Sequence, residues 1–270
     1  MEHEAWQLTG RGPDSYERYQ VPSVFEPLAR MFLQRVELRA GQRVLDVACG
    51  TGIITRLAAP ILGPSGSIAG IDLNEQMLDL ARARAPTGGA AIEWRQGDAA
   101  ALPYDSDEFD VVLCQQGLQF FPDKAAGLRE MHRVLKPEGL LGICVWCAVE
   151  RSPCHSAIAA ALTRHAGADI ARRFQAPFSF SDRDLLKREM VRAGFRNVDI
   201  QTGIVTRRLL PPKESVPGLL GSTPVGPEVA TLASETRDAI VDEVAAALTP
   251  YRDDDGMTLP QPTHIALARK

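Results

Sequence analysis

The chain has 270 residues, 45% hydrophobic and 24% charged, with a net charge of −4 and a pI near 5.8. This is ordinary globular composition, and the length suits one domain with room for insertions. The slightly acidic balance without a Lys/Arg run excludes a duplex nucleic-acid partner, and no window of about 18 apolar residues offers a membrane span.

The opening MEHEAWQLTG is acidic and polar, unlike a secretory signal. A helix is expected over Pro22–Val36, preceded by SYERY. From Arg43 onward short apolar runs alternate with helical patterns. The strands expected are Arg43–Val47, Ser67–Ile71, Ile92–Gln96, Phe109–Cys114 and Leu140–Cys147, and the helices between them Ile53–Leu62, Asn74–Ala85 and Asp123–Leu135. Asn74 reads as an N-cap, and Lys136-Pro137-Glu138-Gly139 stops the third helix. Such alternation predicts an α/β fold, a doubly wound parallel sheet covered on both faces. Beyond residue 150 come a helical stretch and a helix from about Asp182, capped by Ser181 and ended by Gly194. A strand at Asn197–Arg207, mostly helical sequence including Val241–Leu248, and a last strand at Thr263–Arg269 complete the chain. Five cysteines in apolar surroundings fit the reduced thiols of a cytoplasmic protein. Cys144 and Cys147 have redox spacing, but along a strand their Cα atoms would lie about 10 Å apart, too far for a disulfide. Both read as core fillers.

The stretch RVLDVACGTG, Arg43–Gly52, carries the main functional signal. Two glycines directly after a buried strand cost backbone entropy, which is justified where a ligand lies against bare main chain. At the first turn of a doubly wound sheet that ligand is a nucleotide. The dinucleotide pattern G-x-G-x-x-G fails here, because Thr55 stands where the third glycine belongs, and Asp46 would repel a pyrophosphate. Asp46 suits instead an amino group and a cationic sulfur, which together describe S-adenosylmethionine. Asp72, twenty residues after Gly52, can accept from two ribose hydroxyls, and Asp98 from the adenine amino group.

VLDVACGTG (44–52), GIDLNEQML (70–78), GDAAALPYDSDEFDVVLCQQGLQFFPD (97–123) and LREMHRVLKPEGLL (128–141) together resemble the class I S-adenosylmethionine-dependent methyltransferases, in particular the UbiE-like, type 11 group. Ala48 departs from the pattern, standing where many relatives carry the first of three glycines. The resemblance implies a seven-stranded, mostly parallel sheet of order 3-2-1-4-5-7-6 with the last strand antiparallel. It implies Asp46, Ala48, Gly50 and Gly52 on the methionine side, and Asp72 on the ribose. Leu73 and Met77 would pack near the adenine, Asp98 and the Ala99 amide would meet its edge, and Gln115 would lie near the methionine amino group. Tyr19 is a candidate cofactor cover.

These readings make residues 1–270 one methyltransferase domain. It comprises an N-terminal helical lid (1–40), a cofactor-binding core (41–150) and two substrate-cap insertions, 151–181 and 208–257. The insertions leave from strand C-terminal ends and are rich in Ala, Leu, Val, Phe and Pro, so the acceptor is expected to be small and uncharged or aromatic. Methyl transfer is an in-line displacement that needs a base only when the nucleophile arrives protonated. His155, His165 and Gln119 are the candidates there, Gln119 only for orienting an acceptor. Strand four ends in Cys114-Gln115-Gln116-Gly117, which lacks the Asp/Asn-Pro-Pro run of base-amino methylases and the acid of metal-dependent catechol methylases, so no metal is expected. An NAD-linked oxidoreductase and a cofactor-binding protein without catalysis are the alternatives. Oligomeric state is not legible.

Overall fold

The computed structural model describes residues 7–270; the first six residues of the 1–40 lid lie outside it. The strands are β1 (Arg43–Val47), β2 (Ser67–Asp72), β3 (Ala91–Gln96), β4 (Phe109–Gln115), β5 (Leu135–Trp146), β6 (Arg196–Leu209), β7 (Arg252–Asp253) and β8 (Gly256–Arg269). They form one sheet of order β3-β2-β1-β4-β5-β8-β6, with the two-residue β7 pairing only β8. β1 to β5 pair in parallel, whereas β8 runs antiparallel to both β5 and β6. The expected order therefore holds, with β8 as its seventh strand.

Runs such as Val44-Leu45 and Val111-Val112-Leu113 are buried because helices cover both faces of the sheet. On one face α2 (Glu26–Val36) and α3 (Ile53–Leu62) bring Leu28, Phe32, Ile54 and Leu62 against β1, β2 and β4. On the other, α5 (Lys124–Val134) and α8 (Arg183–Arg192) supply Leu128, Met131, Leu186 and Met190. α4 (Glu75–Ala83) follows β2 and is capped by Asn74, whose side chain accepts from the Gln76 amide. The cap of α8 is Asp182 rather than the expected Ser181. Its carboxylate accepts from the amides of Asp184 and Leu185, a charge-assisted bond that a serine hydroxyl cannot match.

Three stretches depart from the sequence reading. The N-terminal helix begins earlier than Pro22: α1 (Gly12–Ser15) runs into a π-helical segment, Tyr16–Phe25, and on into α2. Pro22 lies inside it and has no N–H to donate, and the widened turn closes by i→i−5 bonds such as Glu26 N–H to Val21 O. β5 starts five residues early, because Lys136–Gly139 bulges between the Phe109–Leu135 and Val111–Leu140 pairings. The largest departure is β8, which begins at Gly256 rather than Thr263. β5 stops at the Trp146–Thr263 pairing, whereas β6 and β8 continue together to Leu209–Met257. Six further residues carry this ribbon about 20 Å past the carboxyl edge of the sheet. Pro260 and Pro262 hid it in the sequence. Pro262 O accepts from the Cys147 N–H, so the edge on which both prolines lack an N–H is the β5 side, where the ladder has ended.

A third apolar cluster forms around this ribbon. α6 (Pro153–His165) and α7 (Ala168–Phe174) follow β5, whereas α9 (Pro212–Gly221), α10 (Gly226–Ala230) and α11 (Ser234–Ala247) follow β6. Their apolar residues, among them Ile158, Leu162, Val216, Leu219 and Val244, bury one another and the ends of β6 and β8.

Gly52 has a packing role in this fold. Its φ is +79°, and a Cβ there would lie 2.3 Å from the Trp94 ring. Gly52→Ala should lower stability by about 2–3 kcal/mol through left-handed strain and overpacking. Adding Trp94→Leu should return only the packing part. Denaturant melts of the single and double variants check this, and an additive loss would contradict it.

Candidate functional site

A cleft of about 200 Å³ opens at the carboxyl edge of the sheet, where β1 lies between β2 and β4 and the strand order reverses. Doubly wound sheets bind ligands at such switch points. One end of the cleft is built from the loops after β1 to β4, and the other from the N-terminal helix, α6, α7 and the β6–β8 ribbon.

The first end is organised by Asp72. Its Oδ2 accepts from the Gly50 N–H (2.8 Å) and its Oδ1 from the Asn74 N–H (2.9 Å), which fastens the bend after β1 to the end of β2. Gly50 turns this bend at φ +56°, and so does Ala48. A left-handed alanine costs of order 1 kcal/mol, which explains why glycine suits that position. Gly117 faces Ala48 so closely that a Cβ on it would lie 2.6 Å from the Ala48 Cβ. Leu73 is 49% exposed yet lines the cleft, as do Met77, Asp98 and Ala99. Asp98 Oδ1 accepts from the Ala100 amide. Gln115 donates through Nε2 to Phe25 O at 3.4 Å, while its Oε1 is buried with no partner. Asn74 donates to Leu8 O, drawing the N-terminal segment over this end.

Not every expected residue reaches the cleft. Asp46 lies beneath it, 1% exposed, accepting from Thr55 Oγ1 at 2.8 Å. Gly52 turns toward Trp94. Tyr19 is directed away, its ring packed on Gly218 beneath the Arg18 guanidinium; Tyr16, three residues earlier, lines the cleft instead. His165 pairs with Glu243 at 2.8 Å and ties α6 to α11 outside the cleft. Gln119 is 4% exposed and donates to Gln116 Oε1, while Gln116 donates to Thr263 Oγ1. Gln116, not Gln119, meets the cleft. His155 lines it, with Nδ1 buried and unpartnered.

Trp146, Tyr16, Gln20 and Arg207 also line the cleft and were missed. Only Arg207 had a visible signal. It occupies the inward phase between Val205 and Leu209 in an alternating strand, where a charge is out of place.

Against known proteins, a family model described as a methyltransferase domain matches residues 44–139. Demethylmenaquinone methyltransferase from Staphylococcus carnosus is 33% identical over 181 residues, covering 63% of this chain and 74% of that enzyme. The enzyme of the same name from Lactobacillus johnsonii is 42% identical over 116 residues, 42% of this chain and 48% of its own length. The chain thus spans about half of the Lactobacillus relative. Phosphoethanolamine N-methyltransferase 2 from Haemonchus contortus, solved with S-adenosylmethionine, matches with a TM-score of 0.62 at 19% identity over 97% of this chain and 57% of that one, a likeness of fold. The chain belongs to the class I S-adenosylmethionine-dependent methyltransferases. S-adenosylmethionine is accordingly its cofactor.

The cleft fits that molecule on its own chemistry. The bare Gly50 bend admits close approach, the unpartnered Gln115 oxygen can accept from an ammonium group, and Asp72 keeps free lone pairs after its two amide bonds.

Burial pushes the Asp46 carboxyl up to about 7 from 3.8, against the Thr55 hydrogen bond. A carboxyl raised in the folded state stabilises the fold fully below its unfolded pKa and loses that contribution as pH rises through the folded value. The ligand-free protein should therefore lose stability between about pH 4 and 7, by up to roughly 4 kcal/mol from this group. Asp46→Asn should flatten that fall. Thermal melts from pH 4 to 8 check it; parallel profiles for the two proteins would contradict it.

Proposed function

We propose that this methyltransferase alkylates an O, N or C atom of a small metabolite whose body is apolar or aromatic. The observation that supports this is one continuous cleft. Asp72, Asp98 and the Gly50 bend form one end; Phe25, Trp146, Phe174 and His155 form the other. The cofactor supplies a methyl group on a cationic sulfur that leaves as a neutral thioether.

The chain's own contribution is positioning and exclusion of water. Asp72, Asp98 and Gln115 would hold the cofactor at the switch point, and Leu73 and Met77 would offer apolar surface to its adenine. Tyr16 lies over this end, its hydroxyl kept protonated by burial and by Glu17, Asp72 and Asp46. The insertions act as a cap. Phe174 and Phe178 enclose the His155 ring at centroid distances of 5.8 and 4.8 Å. Burial and the Arg207 charge hold the His155 pKa well below its usual value, so the ring is neutral at pH 7. Its unpartnered Nδ1 takes the acceptor's proton when the nucleophile arrives protonated.

Calorimetry should show one site for S-adenosylhomocysteine and none for NAD. Asp72→Ala should weaken the former ten- to a hundredfold, the worth of charge-assisted hydrogen bonds. Incubation with methyl-labelled cofactor and a metabolite extract should transfer label to a small molecule. His155→Gln should lower kcat by about 10²-fold for a protonated acceptor while leaving S-adenosylhomocysteine affinity intact. NAD binding would point to the oxidoreductase, and persistent absence of labelled product to binding without catalysis.

A further inference from the structure

Arg207 is the largest fully buried side chain among the described residues, 1% exposed, and it lines the cleft. Among the described residues no carboxylate pairs with it. Its one hydrogen bond runs from Nη2 to Gln20 Oε1 at 2.6 Å. Nε and Nη1, which carry three of the five guanidinium donors, are buried without partners. An isolated buried cation is among the most expensive things a fold can retain, several kcal/mol even after relaxation.

The surroundings hold this cation in place without neutralising it. Gln20 sits on the π-helical segment and donates through Nε2 to Ser222 Oγ, which itself donates to Leu219 O. Arg207, the N-terminal helix and the end of α9 are thus linked by one oriented chain of hydrogen bonds. The nearest titratable neighbours are the Cys154 thiol and the His155 ring. Burial raises the thiol's pKa, and the ring is neutral, so neither supplies a negative charge. Arg207 lies four residues past the end of β5 on the overhanging ribbon, on the acceptor side of the cleft.

We propose that Arg207 is the anchor for an anionic oxygen group of the methyl acceptor, a carboxylate or an ionised ring hydroxyl, bound through the free Nε and Nη1 donors. The inference rests on reading this end of the cleft as the acceptor site, and it replaces the expectation of an uncharged acceptor. Arg207 thereby selects substrates by charge, while the aromatic walls select by shape.

The test uses the full chain saturated with S-adenosylhomocysteine, with benzoate and 2-naphthoate each titrated against its neutral carboxamide. Titration of S-adenosylhomocysteine alone comes first; its failure would sink the cofactor reading, an outcome separate from the carboxylate comparison. The complex should bind at least one carboxylate tenfold or more tightly than the matching carboxamide. Arg207→Met should erase that preference, Arg207→Lys should keep part of it, and both should retain S-adenosylhomocysteine affinity. Removing an unpaired buried charge should also leave the melting temperature of ligand-free Arg207→Met equal to or above wild type. Should that variant not fold, the wild-type Arg207 Nε–H resonance, followed by arginine-selective ¹⁵N NMR, should move on carboxylate titration and not with the carboxamide. No carboxylate preference in the wild type, a preference that survives in Arg207→Met, or an unmoved resonance would overturn the proposal.

Discussion

The site depends on one carboxylate holding two backbone amides. Asp72 leaves the end of β2 and accepts from Gly50 and Asn74, so the bend after β1 and the start of α4 are fixed by a single side chain. Desolvation raises its pKa, and both amide bonds oppose that rise by stabilising the anion. The left-handed strain at Ala48 is tolerated because this anchor and the close Gly117 contact hold the bend from both sides. The proposed nucleoside site depends on that bend being rigid and bare.

The second half obeys a different logic. The sheet ends at Trp146, but β6 and β8 run on as a ribbon that carries its own apolar cluster, and the N-terminal helix closes against it. The π-helical turn around Pro22 presents Tyr16 and Gln20 to the cleft. A widened helix is uncommon and is often found at functional sites. Here its polar side chain reaches the buried guanidinium. Residues of the sheet core and of the additions thus line one cleft together, and on the proposed reading the additions are the part that selects the acceptor.

Legibility in the sequence divides along the same line. The parallel core was readable because buried strands, capped helices and a glycine bend are local patterns; β1 and α3 have the observed bounds. Asp72, Asp98 and Gly50 could be read as cleft residues for the same reason, since each ends or closely follows a predicted strand. What escaped was long-range. The β8 extension was masked by two prolines that a free ladder edge tolerates. Tyr19 and Tyr16 differ by three positions on one helix, and their partners are distant in sequence for Tyr19, which packs on Gly218, and local for Tyr16, which packs on Phe25. His165 and His155 share α6 but face Glu243 and the cleft respectively, a distinction set by α11. Arg207 alone left a mark, as a charge in the apolar phase of a strand, and its meaning emerges only once its nitrogens are seen to lack a carboxylate.

The most direct measurement is a crystal structure of the chain with S-adenosylhomocysteine. The ribose should lie on Asp72, the adenine between Leu73 and Asp98, and the sulfur should turn toward the space bounded by Trp146, His155 and Arg207. A nucleoside lodged at another edge of the sheet, or a sulfur directed away from that space, would contradict it.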